Sequence, residues 1–167
     1  MYNNINNIYP SDKKEMYKLL ASQMKALLEG ETNTIANLAN ASALLNDALI
    51  GINWVGFYIM NNGELVLGPF QGKVACVRIA VGKGVCGAAV EENATQLVMD
   101  VHNFPGHIAC DSASNSELVV PLRHEGAVVG VLDIDSPQIG RFDMTDADEL
   151  EKIARIIEVS CQWNCNK

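Results

Sequence analysis

The sequence predicts an α+β domain in which helices at both ends of the chain flank a mostly antiparallel sheet. Three observations carry that expectation. Apolar residues repeat at helical spacing before residue 50 and again after residue 144. Between those stretches the period changes to two. Two tight-turn signals, Asn61-Asn62-Gly63 and His124-Glu125-Gly126, then join strand-like runs.

The first helix is expected after Ser11, a suitable N-cap with Asp12 in the first turn. Tyr17, Leu20, Met24, Leu27 and Leu28 follow at helical spacing up to Gly30. A second helix runs from about Thr34 to Asp47, with Ile35, Leu38, Leu45 and Ala48 on its apolar side. After Gly51 come strands at Asn53–Met60, Gly63–Leu67 and Ala75–Ala80, and a short helix over Val85–Glu92 that ends at Asn93. Gln96–Asp100 reads as another strand. The segment from 101 to 116 is longer than most structureless connections, which marks it as functional. Glu117–Arg123 and Ala127–Ile134 form a second hairpin. Thr145 with Asp148 suggests a capping box for a last helix reaching about Trp163.

Composition narrows the function. The 167 residues suit a single domain, 1–167, able to bury roughly 70% of the surface its unfolded chain exposes. Apolar residues make up 49%, enough for a core. Net charge is −8 and only 12 residues are Lys or Arg, so no nucleic-acid partner is expected. The first residues carry neither a basic region nor an apolar run, and no apolar stretch approaches membrane length, so no signal peptide and no membrane partner are expected. Five cysteines without export signals fit a reducing cytoplasm and free or transiently bonded thiols.

Cys76, Cys86 and Cys110 lie in Gly- and Pro-rich runs with no CxxC pair and no metal-ligand spacing. Such placement suits thiols that react with a substrate and with one another. Each also has a plain structural reading. Cys110 sits on the long loop near His107, and Cys76 begins or precedes a strand. Cys86 stands near the start of a short helix, whose dipole favours a thiolate. Cys161 and Cys165 are two ligands at most and receive no function. GKGVCG lacks the Lys-Ser/Thr ending of a phosphate loop.

Trp54 and Tyr58 point to one strand face, with Gly56 leaving room between them. They form either a ligand wall or ordinary core. Asp133 and Asp135 share a face with Val129 and Val131, while Leu132 and Ile134 face the other way. A strand apolar on both sides is central, so Asp133 is poorly hydrated. The alternative is a solvated strand end before Ser136-Pro137. Glu117 enters the neighbouring strand and can project toward the same place.

Taken together, NWVGFY, GPFQG, GKGVCG, DVHNFPGHIACDSASNSE and LDIDSP, in that order, resemble the free methionine-(R)-sulfoxide reductases, a family of GAF-domain enzymes. Ala80 and Lys83 stand where that family often has Pro and Arg. The resemblance implies a GAF-like fold with the terminal helices on one sheet face and the ligand pocket on the other. It implies reduction of free L-methionine-(R)-sulfoxide, with Cys110 as nucleophile, Cys76 as resolving thiol and Cys86 as secondary or alternative resolver. It further implies Trp54 and Tyr58 as the wall for the methyl-sulfoxide end and Glu117, Asp133 and Asp135 as ligand-binding carboxylates. No bound cofactor or metal is implied; thioredoxin is the expected external reductant, and a homodimer is a common state in the family. Two rivals remain open at this point, a stand-alone GAF sensor and a cysteine hydrolase using Cys110 with His102 or His107.

Overall fold

In the computed structural model, residues 8–106 and 112–163 are described. Cys110, His107 and Cys165 lie outside the described residues. Four α-helices and six strands follow one another as α1 (Lys13–Leu27), α2 (Thr34–Ala48), β1 (Trp54–Asn61), β2 (Glu64–Gly72), β3 (Arg78–Ala80), α3 (Gly84–Glu92), β4 (Gln96–Val98), β5 (Ser116–His124), β6 (Ala127–Ser136) and α4 (Met144–Ser160). The sheet order is β3-β2-β1-β6-β5-β4, and every neighbouring pair is antiparallel.

Strand alternation divides the core in two. Val55, Phe57, Leu118, Val120, Leu132 and Ile134 face α1, α2 and α4 and pack with Tyr17, Leu38, Leu45, Leu150 and Ile153. Trp54, Tyr58, Val119 and Val131 face the other way, toward α3 and its Val85, Cys86 and Ala89. The terminal helices therefore share one face, as expected, and the second face is left for a site.

Both tight turns form as read. Asn62 and Gly63, like Glu125 and Gly126, adopt positive φ, the conformation a two-residue hairpin needs. Asn93 ends α3 in the left-handed conformation. Several boundaries move, each for a tertiary reason. The N-cap of α1 is Asp12, not Ser11; its side chain accepts the Glu15 amide. The N-cap of α4 is Asp143, two residues before Thr145, in a reciprocal capping box with Asp146. Asp146 is fully buried and also accepts from Tyr17 and Lys13, so partners more than a hundred residues away select that frame.

Strand β2 runs through Gly68-Pro69 to Gly72, past the expected end at Leu67, with an irregularity in the β1–β2 register between Gly56 and Tyr58. Strand β3 is only three residues long because residues 73 to 76 are held away from the sheet by side chains of β1, described below. Val129, expected beside Asp133 and Asp135, packs with the helix-side core instead. The β5–β6 register shifts at Leu122 and Arg123, and Val129 is the unpaired extra residue. Ile35 on α2 is 62% exposed rather than buried.

Candidate active site

The site starts from cross-strand pairing. In the β1–β6 ladder Trp54 opposes Asp135, Gly56 opposes Asp133 and Tyr58 opposes Val131. In the β5–β6 ladder Glu117 opposes Asp135 and Val119 opposes Asp133. One sheet face thus collects Trp54, Tyr58, Glu117, Asp133 and Asp135. The first turn of α3 then lays Cys86 over them. All six line one cleft, joined by Val74, Ala75, Lys83 and Ser114. The cleft has a volume of about 30 Å³, room for a water-sized group.

The aromatic wall differs from the expected pair with a gap. The Trp54 ring stacks on Tyr58 at 6.0 Å and on Phe70 at 5.2 Å, which makes one continuous row. Gly56 leaves no room for a ligand, because the space a side chain would take is already occupied. A Cβ there would lie 2.3 Å from Phe70 Cβ and 2.8 Å from both Phe70 Cα and Trp54 Cη2. The wall also holds the chain leading to β3. Trp54 Nε1 donates to the Lys73 carbonyl at 3.1 Å, and the Tyr58 hydroxyl donates to the Cys76 carbonyl at 3.0 Å. Cys76 is disulfide-bonded, whereas Cys86 and Cys161 are free thiols.

The carboxylates are buried: Glu117 is 7% and Asp133 6% exposed. Burial, and then the nearby Asp133 and Asp135 charges, push the Glu117 carboxyl well above its ordinary range, which favours its protonated form. Burial also raises Asp133, to about 6; the rise is limited by hydrogen bonds from Cys86, Glu117 and the Ile134 amide. Asp133 Oδ1 is nevertheless buried without a hydrogen-bond partner among the described residues. The expected Cys86 thiolate is overturned. Cys86 does occupy the first turn of α3, but burial and the adjoining Asp133 and Glu117 push its thiol well up. Desolvation and the adjoining acid groups outweigh half a unit of helix dipole.

Burial likewise holds the Tyr58 hydroxyl in its neutral form. His102 lies outside the cleft, exposed, with its ring Nδ1 2.7 Å from Asp100. Phe70 and Ser114 join the site without having been singled out. Phe70 stands in the GPFQG run, and only its pairing opposite Gly56 reveals its place.

A sheet with terminal helices on one face and an acid-lined cleft on the other is the architecture of a small-molecule-binding GAF module. Residues 35–160 match the GAF domain model, so the chain belongs to that family. It is 58% identical to the free methionine-R-sulfoxide reductase of Escherichia coli (strain K12) over 83% of this chain and 82% of the relative. Among solved structures, the substrate complex of fRMsr of Staphylococcus aureus is 56% identical with a TM-score of 0.83, covering 86% of this chain and 94% of that one. The free methionine-R-sulfoxide reductase from Neisseria meningitidis in complex with its substrate is 47% identical with a TM-score of 0.88, covering 90% and 91%. Within the GAF domains, the chain belongs to the free methionine-R-sulfoxide reductases.

Proposed function

We propose that this chain reduces free L-methionine-(R)-sulfoxide to methionine through cysteine sulfenic acid and disulfide intermediates, and that thioredoxin regenerates it. The observation that carries the proposal is the acid cluster of buried Glu117 and Asp133 with half-buried Asp135, below the Tyr58–Trp54–Phe70 row. A free amino acid brings an ammonium group that offsets this charge. The aromatic row offers an apolar surface to the methyl end.

In the proposed sequence, the Cys110 thiolate attacks the sulfoxide sulfur while a carboxyl group protonates the oxygen. Glu117, whose burial favours the protonated carboxyl, is the donor we favour. The oxygen ends on Cys110 as a sulfenic acid and methionine leaves. The Cys76 thiol then displaces water from that sulfenic acid, forming a Cys76–Cys110 disulfide, which a protein dithiol reduces. Support for Cys76 rather than Cys86 as resolver comes from the bonding, since Cys76 is bonded and Cys86 is free. Cys86, buried and neutral, fits the secondary role. No bound cofactor takes part. A cysteine hydrolase has no use for a disulfide at Cys76.

A thioredoxin-coupled assay tests the proposal. Cys110→Ser should lose even a single turnover. Cys76→Ser should release about one methionine per chain and then stall. Peptide mapping after one substrate equivalent should find Cys76 bonded to Cys110. Blocking the substrate's amine and carboxylate leaves a buried charge unpaired, at a cost of roughly 3–5 kcal/mol. That corresponds to a loss on the order of 10²–10⁴ in kcat/KM for the N-acetyl, C-amidated substrate. Full thioredoxin-dependent turnover by Cys110→Ser would remove the mechanism. Ligand binding without turnover in the wild type would leave a sensor.

A further inference from the structure

One cluster in the cleft sets a thiol beside two carboxyl groups at a spacing that suits a metal ion. The Sγ of Cys86 and one carboxylate oxygen each of Glu117 and Asp133 lie within 4.8 Å of one another, and all three residues are buried. Their spacing in the sequence gives no hint of this, because α3, β5 and β6 bring them together only in the fold. A buried trio of acids alone would be unremarkable. Here one member is a thiol, and the Asp133 Oδ1 is a buried acceptor with no hydrogen-bond partner among the described residues. Both features call for a cation, and the thiol selects which kind. Ammonium gains little from sulfur, whereas a borderline-soft divalent ion gains a bond.

The dimensions agree. Tetrahedral zinc with sulfur at about 2.3 Å and oxygen at about 2.0–2.2 Å separates neighbouring ligand atoms by roughly 3.5 Å. Side-chain rotations of about 1 Å therefore convert the observed triangle into a coordination face. A fourth position would open on the cleft, whose volume of about 30 Å³ is enough for one water.

We propose that Cys86, Glu117 and Asp133 bind one divalent cation of the zinc and cadmium class, and that this ion takes the place of the substrate's ammonium group. Binding forms a metal–sulfur bond and releases the protons of Cys86 and Glu117 to solvent. The ion and free methionine sulfoxide are then mutually exclusive, which makes such ions competitive inhibitors. The site rests on geometry alone; only the competition rests on the function proposed above.

The test uses the full chain in its Cys76-bonded form. Titration with Cd²⁺ should produce the ultraviolet thiolate-to-cadmium band, saturating at one ion per chain, and calorimetry with Zn²⁺ should give the same stoichiometry. Cys86→Ser, which preserves side-chain size, should abolish the band. It should also weaken Zn²⁺ binding by more than the 10–100-fold typical of losing an outer-shell partner. Asp133→Asn, a second variant of unchanged shape, should weaken it comparably. Thermal unfolding of each variant confirms that the fold is intact. A band that persists in Cys86→Ser places the ion on another thiol and overturns the site, as does the absence of stoichiometric uptake by the wild type. Uptake indifferent to saturating free methionine sulfoxide overturns the shared occupancy. Stoichiometric uptake in a protein that never turns over methionine sulfoxide would overturn the function and leave the site standing.

Discussion

Gly56→Ala is the sharpest perturbation of the wall. A single methyl group is added at a position with ordinary negative φ, so the effect comes from packing and not from backbone conformation. The new Cβ would lie 2.3 Å from Phe70 Cβ and 2.8 Å from Phe70 Cα. Carbon atoms rest about 3.5–4.0 Å apart, so β1 and β2 must separate locally by about 1 Å. Phe70 cannot rotate out of the way, because the atoms in conflict are its own backbone and Cβ. Overpacking of this kind costs typically 1–3 kcal/mol, and a backbone clash falls at the upper end. At about 2–4 °C per kcal/mol for a chain of this size, Tm should fall by roughly 6–12 °C. If about half of the strain is relieved by tilting the Trp54 ring, some 1.4 kcal/mol reaches the site, or about tenfold in kcat/KM. Scanning calorimetry and the thioredoxin-coupled assay read both quantities. Gly63→Ala is the control. It lies in open space at φ +84°, so it should lose about 1 kcal/mol from backbone strain and leave kcat/KM unchanged. A Gly56→Ala protein with wild-type Tm and activity would refute the close-packed aromatic row.

Asp133→Asn should stabilise the fold while removing activity. The folded carboxyl is raised to about 6 from 3.8, so the unfolded chain ionises first as pH rises. The resulting penalty is absent below about pH 4, grows to about pH 6 and stays constant above, reaching at most about 3 kcal/mol. In chelator-containing buffer the variant should therefore gain several degrees in Tm near pH 8 and nothing near pH 4; a pH-independent difference would contradict this. Tyr58→Phe keeps the ring and loses the bond to the Cys76 carbonyl, worth about 1 kcal/mol. Steady-state turnover should slow by roughly fivefold, while the first methionine is released at an unchanged rate in a quench experiment. Asp143→Ala breaks the capping box of α4 and should cost about 1–2 kcal/mol in chemical denaturation. Because α4 lies on the opposite sheet face, kcat/KM should not move, and a change beyond twofold would show that the two faces are coupled.

What the sequence by itself determined was whatever depends on neighbouring residues. Asn62, Gly63 and Gly126 form their turns because positive φ is a local preference of Asn and Gly, and two hairpins follow from them. The period of two across GVLDIDS separates Leu132 and Ile134 from Asp133 and Asp135, because a strand cannot send adjacent side chains to one face. Glu117, Asp133 and Asp135 could therefore be expected together, with Asp133 poorly hydrated. The tertiary structure alone decided everything that depends on desolvation and on atoms brought from afar. Asp143 caps α4 because Asp146 is held by Tyr17 and Lys13 from the other end of the chain. The room beside Gly56 is filled because Phe70 pairs opposite it across a register shift. Cys86 keeps its proton, against the helix dipole, because its thiol is buried and because β5 and β6 set two carboxyl groups beside its sulfur. A dipole is visible in a local pattern, but a dielectric is not, since burial is a property of the whole packed chain.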